Sequence, residues 1–128
     1  MFVNKTVNYF IRIVNERLRS KNNIFLVRES NRIRKLLEVL QRLGLLVCDI
    51  NLNKIFICIK FKIDQDGNFL FKSITNIPVL NKQIFLHKEK FKKNGFWLYE
   101  TNFGILTEDE VKVNKKLIYT RPVLKINF

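Results

Sequence analysis

Between residues 31 and 63 the apolar residues change period. Ile33, Leu36, Leu37, Leu40 and Leu43 recur at helical spacing, and Gly44 follows as a stop. Ile55, Ile57, Ile59, Phe61 and Ile63 then alternate, with Lys60 and Lys62 pointing the other way. One helix face and one strand face, close in sequence, both need cover. A helix laid on one side of an antiparallel sheet covers both, which predicts an α+β chain.

The flanking segments extend that frame. Val3, Val7, Phe10, Ile11, Val14 and Leu18 predict a first helix over residues 3–18. Residues 24–28 predict a strand, and Ser30 or Asn31 caps the second helix. Further strands are expected over 45–51, 55–63 and, after a turn at 64–68, over 69–75. Beyond a connection at 76–81, a strand over 82–86, a basic helix over 87–94 stopped by Gly95, and a strand over 96–99 are expected. A loop at 100–104, a helical turn from Thr107 to Val111 and a last strand over 117–123 complete the reading. Two small lobes result: residues 1–75, helix-strand-helix followed by an antiparallel sheet, and residues 76–128, β-rich with a short helix.

The chain has 128 residues, 47% of them hydrophobic, enough for a true core. Lys and Arg number 24 against 11 Asp and Glu, a net charge of +13. Such an excess strains a folded chain unless a polyanion neutralises it. Nucleic acid is the first candidate partner and an anionic membrane surface the second. No apolar run is long enough for a transmembrane helix, and no secretory or transit leader is recognisable, so no membrane partner is expected. Ala is absent, and Phe, Ile, Asn, Lys and Tyr make up 61 of the residues, all with A/T-rich codons. That bias points to an AT-rich genome such as an organelle's.

Candidate chemistry is sparse. Cys48, Cys58 and His87 lack the paired spacing of a metal site, so no metal or cofactor is expected. Asp64 and Asp66 flank a turn Gly, and Glu108, Asp109 and Glu110 read as a helix start. No GxSxG motif or Gly-rich phosphate loop is present, so neither an enzyme nor a small-molecule substrate is expected. The basic residues are the more specific signal. Arg12, Arg19, Lys21, Arg32 and Lys35 form a phosphate-binding patch if they meet at one end of the first lobe. Lys88 and Lys90 belong to a second cluster.

The element order, and several short motifs in register, resemble one family. Leu98 to Thr107 (LYETNFGILT) resembles a signature of two apolar residues followed by Ser-Thr-Ser-Lys-Gly-Val-Met-Thr. Thr101, Gly104 and Thr107 match it outright. Phe10 to Asn15 resembles apolar-Thr-Arg-Ile-Arg-Asn, and Ser30-Asn31-Arg32-Ile33 resembles Ser-Ser-Lys-Leu at the start of the second helix. Leu40 through Gly44 resembles apolar-Lys-Glu-Glu-Gly. The family is the bacterial-type ribosomal small-subunit protein number eight. Glu100, Asn102 and Phe103 depart from it, as do Lys115 and Lys116 where it has Gly-Gly.

The resemblance implies a structural protein of the small ribosomal subunit that binds the central domain of its rRNA beside neighbouring ribosomal proteins. Together with the codon bias, it implies a mitochondrial ribosome. The RNA-contacting residues implied are Ser30, Asn31, Thr101, Asn102, Phe103, Gly104, Lys115 and Lys116, besides the basic residues above. The loop at Thr101 would read RNA shape and 2′-hydroxyls. Two other classes compete. One is a DNA-binding module whose second helix places Arg32 and Lys35 in the major groove. The other is a nuclease using Asp64, Asp66 or Asp109.

Overall fold

A computed structural model describes residues 5–50, 55–76 and 95–128. The fold is α+β with two sheets. The first lobe holds α1 (Lys5–Arg19), β1 (Ile24–Arg28), α2 (Asn31–Arg42), β2 (Leu46–Ile50) and β3 (Phe56–Phe61). Its strands run antiparallel in the order β1-β3-β2. The second lobe holds β4 (Ser73–Asn76), β5 (Gly95–Thr101), β6 (Gly104–Thr107), α3 (Glu108–Val113) and β7 (Thr120–Asn127), with antiparallel order β4-β7-β5-β6.

The periodicities do what their spacing demands. Phe10, Ile11 and Val14 of α1 and Ile33, Leu36, Leu37 and Leu40 of α2 share one core with Ile57, Ile59 and Phe61 of β3. That core continues into the second lobe through Phe71, Ile74, Leu98 and Leu124. Ser30 is the N-cap of α2, its hydroxyl accepting the Ile33 N–H at 3.2 Å. Leu43 drops out of the stripe. It is the C-cap, 37% exposed, and Val39 is buried in its stead.

Both helices end alike. Gly44, at φ +81°, donates to Gln41, and Leu45 donates to Leu40. Lys21, at φ +58°, donates to Leu18, and Asn22 donates to Arg17. Each pair of bonds closes a Schellman turn. Lys21 holds there the left-handed backbone that glycine adopts without strain, at a cost of roughly 1 kcal/mol.

Four expectations are corrected. The segment 69–75 does not complete the first sheet. Only Phe69 bridges back to Ile63, and Ser73–Asn76 pairs with β7. Phe69 and Phe71 are spent on packing, their rings 5.2 and 5.6 Å from that of Phe61. From Lys72 onward the chain bonds to Asn127 and beyond. The change of sheet thus comes ahead of the expected boundary at 75/76.

Second, the expected loop at 100–104 is a tight hairpin, with Thr101 and Gly104 paired and only Asn102 and Phe103 between them. Third, the expected strand over 96–99 is longer, Gly95–Thr101, and Gly95 opens it. A Cβ there would sit 1.9 Å from the Ile126 carbonyl oxygen, so the two strands approach over a bare α-carbon.

Fourth, the last strand is Thr120–Asn127, not 117–123. Ile118 and Tyr119 are apolar but exposed, and burial resumes at Val123, Leu124 and Ile126. A register shift lets both Val123 and Leu124 turn inward, since Leu98 faces Leu124 and Tyr99 faces Pro122. Pro122 is tolerated because β4 covers only Leu124 to Asn127 of β7. The expected strand at 82–86 and helix at 87–94, with Lys88 and Lys90, lie outside the described residues.

Side-chain amides cover two sheet edges. Asn15 of α1 donates to the Ile74 carbonyl at 2.8 Å and accepts the Ile74 N–H at 2.7 Å, making on that side of β4 the two bonds a neighbouring strand residue would make. About two turns earlier on the same face of α1, Asn8 accepts from Asn76. At the edge of the first sheet, Gln41 accepts the Cys48 N–H at 2.9 Å.

Candidate nucleic-acid interface

The hairpin of β5 and β6 forms the tip of the second lobe. Neither Asn102 nor Phe103 takes a positive φ; Gly104 does, at +98°. Thr101 is 4% exposed. Its hydroxyl donates to the Gly104 carbonyl at 2.9 Å and accepts the Phe103 N–H at 3.0 Å. The Thr101 hydroxyl thus holds the turn from inside rather than facing a partner. Packing leaves Phe103 outside, 52% exposed.

Asn102 enlarges the tip. Its side-chain oxygen accepts the Ile118 N–H at 3.0 Å, tying residues 114–119 to the turn. Asn114 orders the same segment by accepting the Lys116 N–H at 2.9 Å. The tie joins the chain of Lys115 and Lys116, both exposed, to the hairpin. Tyr119 and Arg121 follow, with the guanidinium 5.2 Å from the ring centre. The tie therefore sets the exposed Phe103 of the turn beside the segment that carries Lys115, Lys116 and Tyr119, with Arg121 over the Tyr119 ring.

Just past the hairpin, Glu108 replaces a strand residue. Leu98 pairs with Thr107, and Trp97 should pair with the next residue. There α3 begins instead, and the buried Glu108 carboxylate accepts the Trp97 N–H at 2.9 Å. Thr107 and Glu110 cap α3 reciprocally. Burial, and then the neighbouring Glu108, push Tyr99 up to about 12. Burial, and then Glu38 and Asp49, raise the Cys48 thiol.

The first-lobe residues divide between places. Arg32 reaches Glu100 of β5 at 3.2 Å. Arg32 and Lys35 line a crevice of about 120 Å³ together with Glu100 and Ile105. Those two therefore adjoin the root of the hairpin. Arg12 is exposed on α1. Val7 lines the same crevice as Arg32, whereas Arg19 lies about 18 Å further along α1 by its rise per residue, with Lys21 in the turn beyond it. The basic residues do not all gather at one end. Ser30 spends its hydroxyl on the cap, and Asn31 is exposed in the first turn of α2.

The carboxylates have local roles. Asp64 accepts the N–H groups of Asp66 and Asn68, both at 2.9 Å, and closes that turn. Asp109 is exposed in the first turn of α3. Among the described residues no cluster of three His, Cys, Asp or Glu could hold a metal ion. No described helix is long and apolar enough to cross a membrane.

Sequence reasoning missed Tyr119, Arg121 and Asn15. Tyr119 was read as a strand residue, and the Arg lay far in sequence from its peers. Asn15 carried a signal, a polar residue bordering an apolar stripe. Protein-family models give no match to the chain, and curated proteins give no significant one.

Proposed function

We propose that this chain is a non-catalytic component of a small ribosomal subunit, in a mitochondrion, that binds the central domain of the subunit's rRNA. The observation that carries the reading is the Asn102–Ile118 tie, which holds the segment of Lys115, Lys116 and Tyr119 against the hairpin of the exposed Phe103. Cations neutralise phosphates, and ring faces take unstacked bases. The two-lobed α+β architecture agrees with what the family resemblance implies. The buried stripe of α2, and the engagement of Arg32 by Glu100, leave that helix poorly disposed for a DNA groove.

The test has two arms. The chain should co-sediment with small subunits from isolated mitochondria. In solution it should bind a central-domain rRNA fragment more tightly than duplex DNA at equal salt. Equal affinity for both, with no co-sedimentation, overturns the reading.

A further inference from the structure

A second concave surface lies on the first lobe, away from the hairpin. Its volume is about 440 Å³, inside the range of roughly 300–1,000 Å³ for small-ligand sites. One wall is α1, where Lys5 and Tyr9 stand four residues apart on one helix face. The sheet contributes Arg28 of β1 and Phe56 of β3, which are register partners. Helix and sheet thus each add one cation and one ring to the lining. Ile33 and the first turn of α2 close the floor. The acidic residue on the lining, Glu29, is neutralised by Arg34 at 2.8 Å. Lys5 and Arg28 take part in no ion pair among the described residues, and Phe56 is 37% exposed although it opens a core strand.

We infer that this groove holds one unpaired nucleotide of an RNA strand, its base against Tyr9 and Phe56 and its phosphates at Lys5 and Arg28. The inference rests on the RNA-binding reading above and adds a second, single-strand contact to it. An aromatic pair accepts any base face, and two cations at the rim accept the backbone on either side, so the site selects strandedness rather than sequence. The groove is open to solvent, which suits a nucleotide that remains part of a strand.

The experiment uses the full chain and a short single-stranded oligouridylate carrying 5-bromouridine. Ultraviolet crosslinking followed by mass spectrometry should place the adduct on Tyr9 or Phe56. Tyr9→Leu and Phe56→Leu should each weaken oligouridylate binding by at least about fivefold. Should either fail to fold, Lys5→Gln with Arg28→Gln, at exposed positions, should lower the slope of log affinity against log salt by roughly 1.4. Crosslinks confined to Phe103 or Tyr119, with unchanged affinity in the variants that fold, would overturn the proposal. So would full displacement by free uridine monophosphate at the concentration that saturates the chain alone, which marks a free-nucleotide site. Loss of rRNA binding with the groove crosslink intact would sink the ribosomal reading alone. Intact rRNA binding without the crosslink would sink this one alone.

Discussion

Gly95 and Tyr99 show how much a single position in β5 controls. Gly95 has backbone, not a flexible side chain, 1.9 Å from where a Cβ would go. Gly95→Ala must therefore push β5 from β7, and the expected loss is at least about 2 kcal/mol. A urea melt checks it, with a lower midpoint at constant slope. Tyr99 responds to pH instead. Its phenol ionises near 10 in the unfolded chain and near 12 in the folded one. Its contribution is thus complete below pH 10 and is lost as pH rises toward 12. Thermal melts across that window should show a steeper decline for the native chain than for Tyr99→Phe. Parallel curves would mean that burial does not protect the phenol.

Among the elements, the β5–β6 hairpin concentrates the proposed function. Thr101 holds the turn from within, so the exposed Phe103 is free of structural duty. Phe103→Ala should change stability by less than about 0.5 kcal/mol. It should weaken binding of the central-domain fragment by the roughly 1–3 kcal/mol of one stacked base. Equal affinity with intact folding would remove Phe103 from the interface. Asn102→Ala should act differently, by releasing the 114–119 segment.

These elements were unequally legible. The helix stripes, the Ser30 cap, the Gly44 stop and the Ile57–Phe61 alternation are local patterns, and each maps directly onto structure. The fate of β4 is not local. Ile74 is held by Asn15 on one side and by β7 on the other, partners 59 and about 50 residues away. The stretch 117–119 misled because Leu, Ile and Tyr favour strands. Only the pairing of Thr120 onward with β5 decides where β7 begins. The basic patch was legible as charge but not as place, since one helix separates Arg19 from Val7 by its own length.

For the whole molecule, two ion pairs bridge the lobes beside their shared core, on a strongly basic chain. Arg32 pairs with Glu100 at 3.2 Å, and Arg42 pairs with Glu110 at 2.7 Å. Both pairs are partly exposed, and each is worth only about 0–1 kcal/mol to stability. Their larger effect is on the charge offered to a polyanion. Glu100→Gln removes a negative charge from beside Arg32, Lys35 and the hairpin root. RNA affinity should rise, and the salt slope should steepen by up to about one unit. Unchanged affinity and slope would place that crevice outside the RNA footprint.

The strand order has a consequence for biosynthesis. β7 follows every other strand in chain order, yet it sits between β4 and β5. The first sheet can pair as soon as β3 leaves the ribosome, for its strands are neighbours in sequence. β4 then waits through some 44 residues before its partner exists, and non-local pairing of this kind is slow. Through that interval Asn15, already on a formed helix, can occupy both polar groups of Ile74. The amide that holds Ile74 in the finished sheet is thus available before β7 is, and Asn15→Ala should slow refolding more than it speeds unfolding.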